Sequence, residues 1–153
     1  MCGIVGIIGK ADVSEKLLAS LRRLEYRGYD SAGLAVIKDG IIKRRRAEGK
    51  LTRLAEKLEK KPLPGSIGIG HTRWATHGVP NEANAHPHAT DKVALVHNGI
   101  IENYQELRTE IEKSGRSLAS DTDTEVVVHL IKQYLENGLS PEAATRKAMG
   151  HLE

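Results

Sequence analysis

The sequence carries a single thiol, at Cys2. A small residue after the initiator Met is the ordinary condition for removal of that Met, and removal would leave Cys2 bearing the free α-amine. Ordinary pKa values, about 8.5 for a thiol and about 7.7–8.0 for an α-amine, lie close together, so the neutral amine can take the thiol proton near neutral pH. That is a nucleophile with its own base. A terminal cysteine is otherwise an incidental, frayed residue. Here, however, it leads straight into Gly3-Ile4-Val5-Gly6-Ile7-Ile8-Gly9, a β-branched run that reads as a strand buried on both faces and would hold the terminus rigidly. N-myristoylation does not fit, because the glycine stands at position 3 rather than 2.

Two other clusters offer different chemistry. His71, His77, His86, His88 and His97 fall within 27 positions, and imidazoles are common metal ligands, so a His-based metal hydrolase is an alternative. No His-Glu-x-x-His pattern supports it. Lys43-Arg44-Arg45-Arg46 offers a nucleic-acid contact, but strand residues alternate faces and no aromatics interleave for base stacking. The run reads instead as a solvated edge that discourages strand pairing.

Elements that would position these groups follow from periodicity. Asp12 or Ser14 can cap a helix whose Leu17, Leu18, Leu21 and Leu24 share one face, ending near Gly28. Ala32 to Ile37 and Ile41 to Ala47 read as a hairpin, since the Asp39-Gly40 pair between them supplies the positive φ values such a turn needs. Leu51, Leu54, Ala55 and Leu58 make an amphipathic helix stopped by Pro62 and Pro64. A strand is expected over Ser66 to Thr72, a long loop over Trp74 to Asp91, and a strand over Lys92 to His97 that ends at Asn98-Gly99. Loops that long in compact domains are usually lids or binding loops, or else disordered. Helical spacing covers Glu102 to Lys113 and Thr124 to Tyr134, and Pro141 sits at the first position of a last helix. This order fits an α+β layered domain.

Composition bounds the rest. Hydrophobic residues make up 39% of the 153 and charged residues 28%, ordinary for a soluble globular domain, and the length fits one domain. The longest apolar stretch, Cys2 to Gly9, is far below the roughly 18 residues of a membrane span, and no basic residue precedes it as in a signal peptide. The expected location is cytoplasmic, with no membrane partner. One Cys excludes an internal disulfide framework and a multi-thiolate zinc site. With no Phe and one Trp, the core is expected to be Leu, Ile, Val and Ala, thin in aromatic anchors. The net charge of +3 hides a split: residues 1–61 hold 15 Lys and Arg against 8 Asp and Glu, residues 62–153 hold 8 against 12.

Six blocks in order carry a resemblance: Cys2-Gly3-Ile4-Val5-Gly6, Tyr26-Arg27-Gly28-Tyr29-Asp30-Ser31-Ala32-Gly33, Gly70-His71-Thr72-Arg73-Trp74-Ala75-Thr76-His77-Gly78, His86-Pro87-His88, Val96-His97-Asn98-Gly99-Ile100-Ile101-Glu102-Asn103-Tyr104 and Ser120-Asp121-Thr122-Asp123-Thr124-Glu125. Together they resemble the N-terminal glutaminase domain of the glucosamine-6-phosphate synthase family, which are class II glutamine amidotransferases. Amidotransferases of purine, asparagine and glutamate synthesis share the N-terminal Cys and the Asn-Gly pair, but the wording of the second and third blocks favours the hexosamine enzymes.

The resemblance implies an N-terminal-nucleophile hydrolase fold, an αββα sandwich of two antiparallel sheets between helix layers. It implies hydrolysis of the glutamine side-chain amide through a thioester on Cys2, with no cofactor and no metal. Asn98 and the Gly99 N–H would be the oxyanion donors, where one donor is typically worth about 2.7–4 kcal/mol of barrier; alone, they read as an Asn-Gly turn. Arg73 would pair with the α-carboxylate of glutamine and Asp123 with its α-ammonium; singly, Arg73 is a surface ion pair and Asp123 a helix N-cap. Thr76 and His77 would shape the pocket, Trp74 would belong to the loop that closes it, and Arg27 would support the terminus. In full-length family members the ammonia passes to a sugar-phosphate isomerase domain that makes glucosamine 6-phosphate from fructose 6-phosphate. That domain is absent from these 153 residues, and the full-length family member is expected to be a homo-oligomer. The family's glutaminase domain runs further than this chain, so residues 1–153 are expected to form a C-terminally truncated one. An inactive or binding-only fragment is the non-enzymatic alternative.

Overall fold

The computed structural model describes residues 2–75 and 78–153. Strand β1 (Gly3–Ile8) is followed by α1 (Ser14–Arg22), a 3₁₀ turn at Glu25–Arg27, and the hairpin β2 (Ser31–Lys38) and β3 (Ile41–Glu48). Helix α2 (Leu51–Lys60) leads to β4 (Ile67–Arg73), then the short strands β5 (His88–Ala89) and β6 (Ala94–Leu95). Helices α3 (Tyr104–Lys113), α4 (Thr124–Glu136) and α5 (Pro141–Met149) complete the chain. The first sheet is antiparallel with order β1-β4-β2-β3; β5 and β6 pair separately.

The period of two explains the layering. Along β2, Ala32, Leu34 and Val36 face α1 and α2, where Leu17, Leu21, Leu51 and Leu54 close the first core. Across α3 to α5 a second core forms from Ile101, Leu107, Ile111, Val126, Val127 and Ile131. Among the described residues no Tyr or Trp belongs to the buried core, in keeping with a composition thin in large aromatic anchors. Helices, sheet, small sheet and helices thus stack in αββα order. The Asp39-Gly40 turn has positive φ at both residues, 52° and 75°, and Pro141 opens α5 behind Ser140, whose Oγ accepts from Ala143 N–H.

Several local expectations are corrected. β1 is an edge strand with one covered face: Ile4 is 44% and Ile8 83% exposed, because only Val5 and Ile7 pack on the first core. Neither Asp12 nor Ser14 caps α1, whose N-cap is Val13. Asp12 Oδ1 instead accepts from Gly65 N–H and Ser14 Oγ–H donates to the Leu63 carbonyl, tying the chain that enters β4. The 74–91 segment is not all loop, since β5 lies in it, and the 92–97 strand pairs only at Ala94–Leu95.

The basic run is solvated on one side only. Opposite Ala35 and Gly33, Arg44 and Arg46 reach the inner layer: Arg44 Nη1 donates to the Pro87 carbonyl, and Arg46 Nη1 to those of Ala83 and Ala85. Burial depresses the pKa of both guanidiniums, that of Arg46 to about 10. They clamp the segment that carries His86.

Candidate functional site

The site lies at one end of the four-stranded sheet, where register brings three segments together. Gly3 stands opposite Thr72, and Arg73 opposite Ser31. The Gly3 N–H donates to Thr72 Oγ1 (3.1 Å), which fixes the chain just after Cys2. Trp74 N–H donates to Cys2 Sγ (3.2 Å), and the Sγ faces the Trp74 carbonyl at 3.6 Å. Cys2 is therefore held at the mouth of a cavity of about 520 Å³ rather than frayed.

Residues from across the chain line that cavity. Cys2, Arg27, Arg73, Trp74, Asn98, Gly99 and Asp123, all singled out from the sequence, are there. Thr76 and His77 lie outside the described residues. The structure adds His86, His97, Ile100, Thr122 and Thr124. Sequence reasoning weighed His86 and His97 as metal ligands and gave no role to Thr122 and Thr124, although their two-residue spacing in the Ser-Asp-Thr-Asp-Thr-Glu block was a usable signal.

Arg73 is 4% exposed. Its Nη1 stands 3.9 Å from Asp30 Oδ1 and its Nη2 donates to the Gly78 carbonyl (3.3 Å). Burial lowers its pKa, while Asp30, Cys2 and Asp123 oppose the shift. Asp30 was not foreseen: its carboxylate also accepts from Ser31 Oγ and Ala75 N–H, bracing the Arg73 to Ala75 turn.

Asp123 is 5% exposed at the N-cap of α4, but its side chain does not cap that helix. Oδ2 accepts from Ile101 N–H (2.9 Å), which ties α4 to the chain just after Gly99. The N-cap reading of Asp123 is thus right in position and wrong in partner. Its neighbour Glu125 anchors the approach to α4 by accepting from Ala119 N–H, Ser120 N–H and Ser120 Oγ–H. Burial pushes the Glu125 pKa up, but the His129 ring 3.8 Å away and the hydrogen bonds from Ser120 and Ala119 outweigh it and bring the carboxyl down to about 2.

Beneath the cavity, His86 packs between His71 (centroids 4.3 Å apart, rings tilted by 32°) and His88 (4.6 Å, edge-on at 72°). Burial lowers the pKa of all three: His71 to about 4, His88 to about 3 and His86 further still. Among the described residues no group of three or more His, Cys, Asp or Glu is gathered to hold a metal ion. The His86 segment lies so close to β2 that a Cβ on Gly33 would come within 2.3 Å of the His86 carbonyl oxygen. Only glycine admits that approach.

On the opposite wall, Asn98 Nδ2 donates to the Cys2 carbonyl (3.3 Å) and Asn98 Oδ1 meets His71 Nε2 (2.8 Å). The cavity thus combines a thiol, a carboxamide donor, a buried guanidinium and a buried carboxylate. That set suits attack on an uncharged carbonyl compound bearing both an anionic and a cationic group.

Comparison with known proteins agrees with this chemistry. Residues 59–142 match the family described as Glutamine amidotransferase domain. The chain is 62% identical over 152 residues to the glutamine–fructose-6-phosphate aminotransferase (isomerizing) of Bradyrhizobium diazoefficiens, covering 99% of this chain and 25% of that protein. It is 60% identical over 153 residues to the enzyme of the same name from Mesorhizobium japonicum, covering all of this chain and again 25% of the relative. The chain thus spans about a quarter of the length of these curated relatives. Among solved structures, the glutamine phosphoribosylpyrophosphate amidotransferase of B. subtilis, complexed with ADP and GMP, superposes with a TM-score of 0.81 at 26% identity. That match covers 100% of this chain and 33% of the other. Among the described residues no helix is long and apolar enough to cross a membrane.

Proposed function

This chain belongs to the glutamine amidotransferase domain family, and from that premise we propose that its cavity hydrolyses the side-chain amide of L-glutamine through Cys2. Once Met1 is removed, the Cys2 α-amine takes the thiol proton and the sulfur attacks the amide carbon. The tetrahedral oxyanion is held by Asn98 Nδ2–H and the Gly99 N–H. The amine returns its proton to the departing nitrogen, ammonia leaves, and water resolves the γ-glutamyl thioester to glutamate.

Arg73 reads the substrate carboxylate, its fork already aimed by Asp30 and the Gly78 carbonyl. Asp123 reads the ammonium, with Thr76 and His77 completing the pocket, Trp74 closing over it and Arg27 supporting the terminus. The observation that carries this reading is the convergence of Cys2, Arg73, Asn98, Gly99 and Asp123 on one cavity although they are spread over more than a hundred positions of sequence.

We assign residues 1–153 to the glutaminase part of a longer protein. There the ammonia would pass to a sugar-phosphate isomerase domain that converts fructose 6-phosphate to glucosamine 6-phosphate, the whole working as a homo-oligomer in the cytoplasm. The names of the relatives support this order of events.

The test is glutamate release by the purified chain, with intact mass locating its N-terminus. The processed chain releases glutamate, and Cys2→Ala abolishes release with the far-ultraviolet spectrum unchanged. Blocking Met removal has the same effect. Activity that persists with Met1 demonstrably in place rules out the amine as base.

A further inference from the structure

We propose that His71 is a positioning residue that fixes which end of the Asn98 carboxamide faces Cys2, holding the Nδ2 donor toward the thiol. The inference rests on the reading of Asn98 as an oxyanion donor. A carboxamide is nearly symmetric in shape but not in chemistry: one end only donates and the other only accepts. Turned by half a revolution, Asn98 would present an oxygen where a developing oxyanion needs an N–H, and the donor would become a repulsive charge.

The surroundings decide the orientation. On one side stands the Cys2 carbonyl, an acceptor 3.3 Å from Nδ2. On the other stands His71 Nε2, 2.8 Å from Oδ1. Since a carbonyl cannot donate, the amino end must face Cys2, and His71 must then present an N–H to Oδ1.

The ring is able to do so. His71 is fully buried, and burial lowers its pKa to about 4, against the opposing pull of the Asn98 side chain. At neutral pH it is an uncharged imidazole with one proton. Its Nδ1 is buried without a hydrogen-bond partner, where a bare lone pair is tolerated better than an orphaned N–H. The Oδ1 acceptor 2.8 Å from Nε2 and the unpartnered Nδ1 together put the proton on Nε2. His86 packs on the ring at 4.3 Å and the β4 backbone carries it, so the donor is held by packing and by the sheet alike.

Two measurements decide the matter. In the ¹⁵N-labelled chain at pH 7, two-bond proton–nitrogen correlation spectra report the His71 tautomer. A ring protonated on Nε2 supports the proposal, and one protonated only on Nδ1 overturns it. In glutaminase assays, His71→Leu lowers kcat about 10- to 100-fold with KM little changed, the range typical of supporting hydrogen-bond partners. His71→Gln, which keeps a donor at the same reach, recovers most of the rate. In an Asn98→Ala background His71→Leu has no further effect, because there is no carboxamide left to orient. A full additional loss there means that His71 serves only packing and refutes the proposal. Should His71→Leu not fold, the Gln variant and the spectrum carry the test. If the unmodified chain releases no glutamate, the glutaminase reading fails, and the spectrum alone still decides what His71 does to Asn98.

Discussion

Lowering the pH from 7 to 5 should remove about 5 kcal/mol of folding stability, most of what a domain of this size ordinarily has. The cause is the buried cluster of three imidazoles. His71, His86 and His88 are each no more than 5% exposed, and burial depresses all three pKa values, to about 4 for His71, about 3 for His88 and lower for His86. In His88 the attraction of Glu125 is outweighed by burial and by Arg46, Arg44 and Arg73. A ring whose folded pKa lies below its unfolded value contributes stability that is fully present above the unfolded pKa, near 6.5, and is lost as the pH falls toward the folded one. At pH 5 the unfolded ring is nearly fully protonated and the folded one is not, which is worth about 2 kcal/mol per ring. At pH 7 the same difference is a few tenths per ring, so three rings give about 5 kcal/mol between the two. The slope should approach about 4 kcal/mol per pH unit, the figure for three protons taken up on unfolding. Carboxylates titrate mostly below this window. Urea unfolding followed by circular dichroism at pH 7, 6, 5.5 and 5 measures the slope, and His86→Leu should reduce it by about a third. A loss under about 1 kcal/mol between pH 7 and 5 would show that the cluster accepts protons in the folded state, and the reasoning would fail.

Four further outcomes are expected. Gly33→Ala sets a Cβ against the His86 carbonyl and should cost about 1–3 kcal/mol or more, read from the urea midpoint. Gly6→Ala, with nothing within 4 Å of the new atom, should stay within about 0.5 kcal/mol of the unmodified chain. Asp123→Asn keeps an acceptor for Ile101 N–H but removes the charge. It should raise the KM for glutamine about 10- to 100-fold, in line with about 1.5–3 kcal/mol for a hydrogen bond to a charged group, and an unchanged KM would remove Asp123 from substrate recognition. Glu125→Gln replaces one oxygen of a carboxylate that accepts three hydrogen bonds with an amino group. It should destabilise the chain by about 1–3 kcal/mol in chemical denaturation, with the start of α4 loosening first in hydrogen exchange.

Much was legible in the linear sequence because it was written in local signals. Leucines at helical spacing marked α1 and α2, Asp39-Gly40 marked a hairpin turn, and Pro141 behind Ser140 marked the last helix. The motif blocks named most of the cavity wall, from Cys2 to Asp123, since residue type and order survive without any knowledge of distance. Where polar side chains had a choice of partner, local reading failed. Asp12 and Ser14 looked like caps but hold the 63–65 segment, and Arg44 and Arg46 looked solvated but clamp the carbonyls before His88.

Residue types and their order were enough to determine the chemistry available here: one thiol, an Asn-Gly pair, a guanidinium and a carboxylate, on elements set by periodicity. Tertiary structure alone decided who faces whom. His71 meets Asn98 across 27 residues, Asp123 meets Ile101 N–H across 22, and Cys2 meets Trp74 across 72. Such pairings follow from sheet register and from the need of each buried polar group to find a partner, and that competition is settled only when the layers close.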